Sequence, residues 1–306
     1  MGEMIPEFDI ETVFVEPWMA LPWVAVLGFL VVLGNGAVGS FLVLRRMSLV
    51  GDAISHSVLP GIVIAYLVSH ALGGWPVFVG ALVAGLSTAW VIEVLSGRTR
   101  LKEDAATGIA FTVLFALGVI LVSVYSGSAH IDTDCVLYGE LGHVAAGGKA
   151  GEVPGQVWES GGVALLVVGS IAVFYKTLVV ASFDPGLASS LGINVRLVHY
   201  GLMGLVSLVV VASFEAVGSI LVVAMLVLPG ATGLLLSDRL PWVLGIVGVF
   251  ALVSSVAGFH LAYWLNVGFG PGMVVAGFGL FCLAWVWHVV RRRWMMRADV
   301  GEAVRV

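Results

Sequence analysis

The sequence predicts an all-α polytopic membrane protein of about eight to nine transmembrane helices, with its C-terminus on the cytoplasmic side. Three observations predict it. The 306 residues are 60% hydrophobic and only 11% charged, with a mean hydropathy of +1.08; a soluble domain is about a quarter charged. Apolar runs of about 20 residues, each long enough to cross a bilayer, recur along almost the whole chain. When these runs are threaded back and forth, 13 of the 14 lysines and arginines fall on one side and only Lys149 on the other. By the positive-inside rule the basic side is cytoplasmic.

The chain opens on an acidic segment over 1–20, with Glu3, Glu7, Asp9, Glu11 and Glu16. It lacks the basic n-region of a cleaved signal peptide and is expected to be external or interfacial. A single transmembrane domain is expected over 21–290 and a basic cytoplasmic tail over 291–306. The spans read as 21–44, 47–68, 76–97, 105–126, 161–181, 197–213, 217–236, 240–262 and 271–290. The division near 213–217 reads as a turn between two spans or as a broken or re-entrant helix. Forty glycines fit close helix packing in lipid, where small residues let backbones approach. Cys135 and Cys282 form no CxxC and no disulfide framework. Nothing in the sequence suggests nucleic-acid binding.

The second span, MSLVGDAISHSVLPGIVIAY over 47–66, carries Asp52 and His56. Four residues apart on a helix, they share a face with Cβ atoms about 5–6 Å apart. A carboxylate and an imidazole so stacked make half of a site for a divalent metal. Ionisable groups inside the hydrocarbon layer are costly and mark transport paths. At 1.5 Å per residue His56 lies about 14 Å in from Met47, near the middle of the layer. Pro60 has no N–H, so the carbonyl of His56 loses its helical partner. Pro229 does the same for Met225 in the seventh span and predicts a kink there.

Three other stretches carry polar residues. The external stretch over 127–162 contains HIDTDCVLYGELGH, where His130, Asp132, Asp134 and Cys135 are metal-ligand types. Their spacing matches no closed zinc site, and an acidic vestibule that draws in cations is the expectation. The join ASFDPGLASSLGINVR predicts a short helix of about two turns over 184–192, outside the bilayer. Asp184 fits its N-cap, Pro185 its first position and Gly192 its C-terminal stop. A capped helix in a chain otherwise so economical of connections suggests docking of a cytoplasmic partner through Gly186 and Leu187. Glu215, the only acid between Asp184 and Asp238, is expected at the external end of the path. Glu93 is expected to snorkel or pair near the inner end of the third span, and His70, His199, His260 and His288 to be interfacial.

Taken together, FLVLRRMSLVGDAISHSVLPG (41–61), SFDPGLASSLGI (182–193), EAVGSILVVAMLVLPGATGLLLSDR (215–239) and the FGPG pattern at 269–272 resemble the ABC-3 family of permeases. HIDTDCVLYGE (130–140) is similar to the branch associated with manganese, zinc or chelated iron. The resemblance implies the membrane subunit of an ATP-driven importer in a bacterial inner membrane. It implies that Asp52 and His56 line the metal pathway, and that the helix at 184–192 couples to a cytoplasmic ATPase. It further implies a second permease subunit in a homodimer, an extracytoplasmic metal-binding protein, and manganese, zinc or iron as cargo, with no permanently bound cofactor. Three positions depart from the family pattern: Gly230 and Gly233 where alanines are usual, and Asn266 where an aspartate is common.

The residues themselves agree with that implication. The chain has no GxxxxGK followed by Ser or Thr, so it cannot bind ATP at a P-loop of its own. It needs an ATPase on another chain or an ion gradient, and an ion-coupled secondary metal transporter is the alternative. A membrane metalloenzyme is poorly supported, since HExxH is absent and no acid/base and nucleophile set accompanies the pair.

Overall fold

In a computed structural model of the chain, residues 22–70, 74–125 and 153–303 are described, without the side chains of 22, 215, 219, 220 and 294–303. The described residues form helices and their joins, as a hydrocarbon medium demands: each backbone N–H and C=O must find its partner within its own segment. Among these residues eight spans are long and apolar enough to cross a membrane, and a ninth apolar helix is shorter.

Helix α1 (Pro22–Leu44) is the hub. The share of its span buried inside the chain is 72%, against 17% for the final span, so α1 is enclosed by the rest of the chain while the last helix lies largely exposed on the outside of the bundle. The second span is two helices, α2 (Ser48–Ser57) and α3 (Leu59–Ser69), which meet at Val58. Pro60 explains the break. It lacks the N–H that His56 O would accept from, and its ring crowds that carbonyl. Two full spans follow, α4 (Trp75–Arg98) and α5 (Glu103–Tyr125). The fifth span begins earlier than expected, as α6 (Gly155–Val173), and breaks at Phe174 before the short α7 (Tyr175–Phe183).

Helix α8 (Pro185–Ser190) is the short helix expected over 184–192. Asp184 Oδ1 accepts from the Leu187 N–H at 2.9 Å, and Pro185 opens the helix. At the other end Gly192 N–H donates to Ser189 O and Ile193 N–H to Ala188 O, with Gly192 at φ +79°. This is a Schellman motif, and glycine fills its left-handed position without a Cβ clash. The chain then enters α9 (Val195–Val217), capped by Asn194. Gly218, at φ +83°, turns it into α10 (Ser219–Leu236), so the division expected near 213–217 is a one-residue turn just beyond that window. α10 runs through Pro229 without the interruption that Pro60 causes in the second span. Last come α11 (Leu240–Leu265) and α12 (Phe269–Ala303), whose helix carries on past the span into the basic segment.

Around the hub, α1 packs against α10, α11, α6 and α9, while α2 sits among α4, α5, α9 and α10. The α1–α10 crossing is close because both helices offer glycine. A Cβ on Gly39 would overlap Leu226 O, and one on Gly230 would lie 2.8 Å from Ser40 Cα. A Cβ on Gly233 would lie 2.8 Å from Val243 Cγ1 of α11. The departures at 230 and 233 thus let α10 approach both neighbours more closely than alanine would. Asn266, the third departure, is the left-handed cap of α11 at φ +53°, a conformation asparagine tolerates. Inside the bundle, Asn35 Nδ2 donates to Ser213 Oγ at 2.6 Å and joins α1 to α9.

The turn between α1 and α2 repeats the Schellman pattern, with an arginine where glycine is usual. Arg46 N–H donates to Val43 O and Met47 N–H to Leu42 O, while Arg46 itself lies at φ +61°. That conformation costs a residue with a Cβ about 1 kcal/mol.

Candidate metal-path site

Three faces of α2 are sealed. Val50, Ala53, Ile54 and Ser57 are at most 2% exposed. The remaining stripe is open: Leu49 is exposed, and Asp52, His56 and Leu59 are partly so. The helical repeat of 3.6 residues places these four on one line. Within it His56 Nε2 lies 3.4 Å from Asp52 Oδ1, with 22% and 41% of the respective side chains exposed. The single chain therefore leaves the carboxylate–imidazole pair uncovered.

Two aromatic rings of α5 hold the imidazole on its flank. The Phe111 and Phe115 centroids lie 5.5 and 6.1 Å from that of His56. They are four residues apart on the face of α5 that meets α2, and fix the ring's position without offering it a hydrogen bond. Nothing in the sequence distinguished them from the lipid-facing apolar residues around them. Just beyond the pair, Ser57 Oγ and Thr88 Oγ1 share a hydrogen bond of 2.5 Å, which ties the end of α2 to α4.

The structure brings Asp52 and His56 together as expected. His130, Asp132, Asp134 and Cys135 lie outside the described residues. Glu215 is in the last turn of α9, beside the Gly218 turn, and its side chain is outside those described. Asp184, Pro185, Gly186, Leu187 and Gly192 build α8 and its caps, away from the pair. On α8, Leu187 is 50% exposed and Leu191, just past its end, 63%. Glu93 and His199 pair with each other, Oε2 to Nε2 at 3.2 Å, and so link α4 to α9. Among the described residues no group of three or more His, Cys, Asp or Glu side chains is placed to hold a metal ion. One chain therefore brings together two side chains of metal-ligand type on α2, fewer than the four to six ligands that divalent transition metals take.

A carboxylate and an imidazole on a membrane-spanning helix, open to one side, suit the capture and release of a cation in transit, and a chain with this fold and site is a membrane permease. It belongs to the ABC 3 transport family, whose model matches residues 18–288.

The chain is 44% identical to the manganese transport system membrane protein MntD of Bacillus subtilis over 257 residues, which covers 82% of this chain and 86% of that one. It is 39% identical to the zinc transport system membrane protein TroD of Treponema pallidum, over 85% of this chain and 73% of that one. Among solved structures it matches PsaBC from Streptococcus pneumoniae in complex with Fab, with a TM-score of 0.73 and 34% identity over 86% of this chain and 89% of that one. An inward-facing putative metal-chelate type ABC transporter shares the fold at a TM-score of 0.62 and 16% identity, over 86% of this chain and 84% of that one. Family membership favours the ATP-driven reading over the ion-coupled one.

Proposed function

We propose that this chain is the permease subunit of an ATP-driven importer that carries a divalent transition metal across a bacterial cytoplasmic membrane, toward the side bearing its basic residues. Manganese and zinc are the first candidates, since relatives are named for each. Iron(II) offers the same coordination chemistry to a carboxylate and an imidazole. A separate ATPase supplies the energy, and an extracytoplasmic binding protein delivers the metal.

One observation carries the reading: the Asp52–His56 pair, on a helix that is otherwise packed, faces out of the chain. A carboxylate turned toward lipid is costly. A second copy related by a twofold axis would cover it and supply the same pair, giving two carboxylates and two imidazoles. That set offsets a dication's charge in a medium where it could not rest unpaired.

The test is uptake into vesicles that hold the permease, its ATPase and its binding protein. Accumulation of manganese or zinc should require ATP and persist when a proton ionophore collapses the gradient. Uptake that ignores ATP and vanishes with the ionophore would make the chain an ion-coupled carrier instead.

Glu215 would guide ions at the external end of the path. Its motivation is position: the only acid between Asp184 and Asp238, in the last turn of α9 beside the Gly218 turn. Glu215→Gln should weaken uptake severalfold at low metal concentration and little at saturation, as loss of electrostatic attraction does. Identical concentration curves for variant and wild type would leave Glu215 an interfacial carboxylate.

A further inference from the structure

At the basic end of the bundle, one side chain bridges two segments that the sequence separates by 137 residues. Arg45 Nε donates to Ser182 Oγ at 2.9 Å, and Ser182 Oγ donates in turn to Leu178 O at 2.6 Å. Ser182 is in the last turn of α7, two residues before Asp184, the cap of α8. Arg45 is in the turn that launches α2, three residues before its start. From there α2 rises about 6 Å to Asp52 and about 12 Å to His56.

Two unfavourable features converge on the same turn. Arg46 holds a left-handed conformation without being glycine. Arg45 Nη2 is buried and makes no hydrogen bond among the described residues. Strained backbone persists where the surrounding structure over-determines it and clusters at active sites, ligand clamps and switch regions, and a buried donor without a partner is rare enough to call for a reason. The Glu93–His199 pair joins α4 to α9, and both of these helices pack against α2.

We propose that Arg45 is a positioning residue that transmits displacement of α8 to α2. Its guanidinium ties the base of α8 to the turn carrying α2, so α8 cannot shift without pulling on the helix that bears Asp52 and His56. The inference rests on the importer reading above: α8 is where an ATPase would push, and α2 is where the metal would sit.

The experiment reads metal moved per ATP hydrolysed by the complete importer in vesicles, for wild type, Arg45→Met, Arg45→Lys, Ser182→Ala and the Arg45→Met/Ser182→Ala double variant. Arg45→Met keeps the length of the side chain and has no N–H donor. Arg45→Lys keeps the charge and loses the N–H at the Nε position, so it should behave as Arg45→Met does. Each single variant should keep its ATPase bound and hydrolysing while the ratio falls by about fivefold or more, the range of ordinary site-to-site coupling. The double variant should be no worse than either single one, because both remove the same link. A wild-type ratio in Arg45→Met or Ser182→Ala overturns the proposal. If Arg45→Met fails to assemble, Ser182→Ala, which removes the acceptor of Arg45 and only a bond within α7 besides, decides alone. Failure of wild type to move metal with ATP would instead sink the importer reading, so the two failures are distinguishable.

Discussion

His56→Ala or Asp52→Asn is expected to lower metal uptake by about a hundredfold or more, with assembly of the complex intact. Loss of a residue that only orients a ligand costs about 10–100-fold in metal affinity, so loss of the ligand itself should cost at least that. The geometry says why fold and site separate. His56 and Asp52 lie on the open stripe of α2, whereas its packing rests on Val50, Ala53, Ile54 and Ser57. Asp52→Asn keeps the shape and removes the charge. Metal bound per complex, measured on purified protein beside uptake, checks the prediction. Complexes with one wild-type and one His56→Ala subunit should also fall far below half activity, because a shared site needs both pairs. Mixed complexes at half activity or above would mean that each chain has its own path.

Leu187→Asp should detach the ATPase and stop ATP-driven uptake while the permease still inserts. Leu187 is half exposed on a helix outside the spans, and Leu191 is exposed a turn later. Exposed leucines on a helix with both ends capped form a rigid apolar knob of the kind that anchors an interface. Truncation of such an anchor costs about 2 kcal/mol, or about thirtyfold in affinity. Ala188, the next residue and about 100° further round the helix, is fully buried, which holds α8 in place when Leu187 changes. Gly186 gives a less clean test, since a Cβ there would lie 3.2 Å from Asp184 Oδ1 and disturb the cap itself. Co-purification of the ATPase with the variant is the measurement, and undiminished co-purification with normal uptake would remove α8 from the interface.

Local rules made much of this protein legible before any coordinates. Length of apolar run predicts the spans, because hydrocarbon thickness sets helix length. Spacing of four puts Asp52 and His56 on one face, because helix geometry allows nothing else. Asp184, Pro185 and Gly192 mark α8, because each satisfies a backbone need at a helix end. The break at Val58 follows from the N–H missing at Pro60. All of these are interactions within a few residues of one another.

Other features were out of reach of the residue order. In a soluble helix, polarity tells the buried face from the solvated one; in lipid both faces are apolar, so the pattern that would reveal packing is absent. Only the tertiary structure makes α1 the hub and leaves the Asp52–His56 stripe of α2 open. It alone selects Phe111 and Phe115 from among the phenylalanines of the spans to flank His56. The break at Phe174 falls inside a stretch read as one span, so hydropathy did not locate it, whereas the turn at Gly218 lies one residue beyond the division expected near 213–217. The bridges from Arg45 to Ser182 and from Glu93 to His199 join residues more than a hundred positions apart. A side chain's preference for water or lipid is a property of the residue and can be read from the chain; the partner it meets depends on how helices of similar hydropathy pack, and close contact through glycines such as Gly39 and Gly230 decides that.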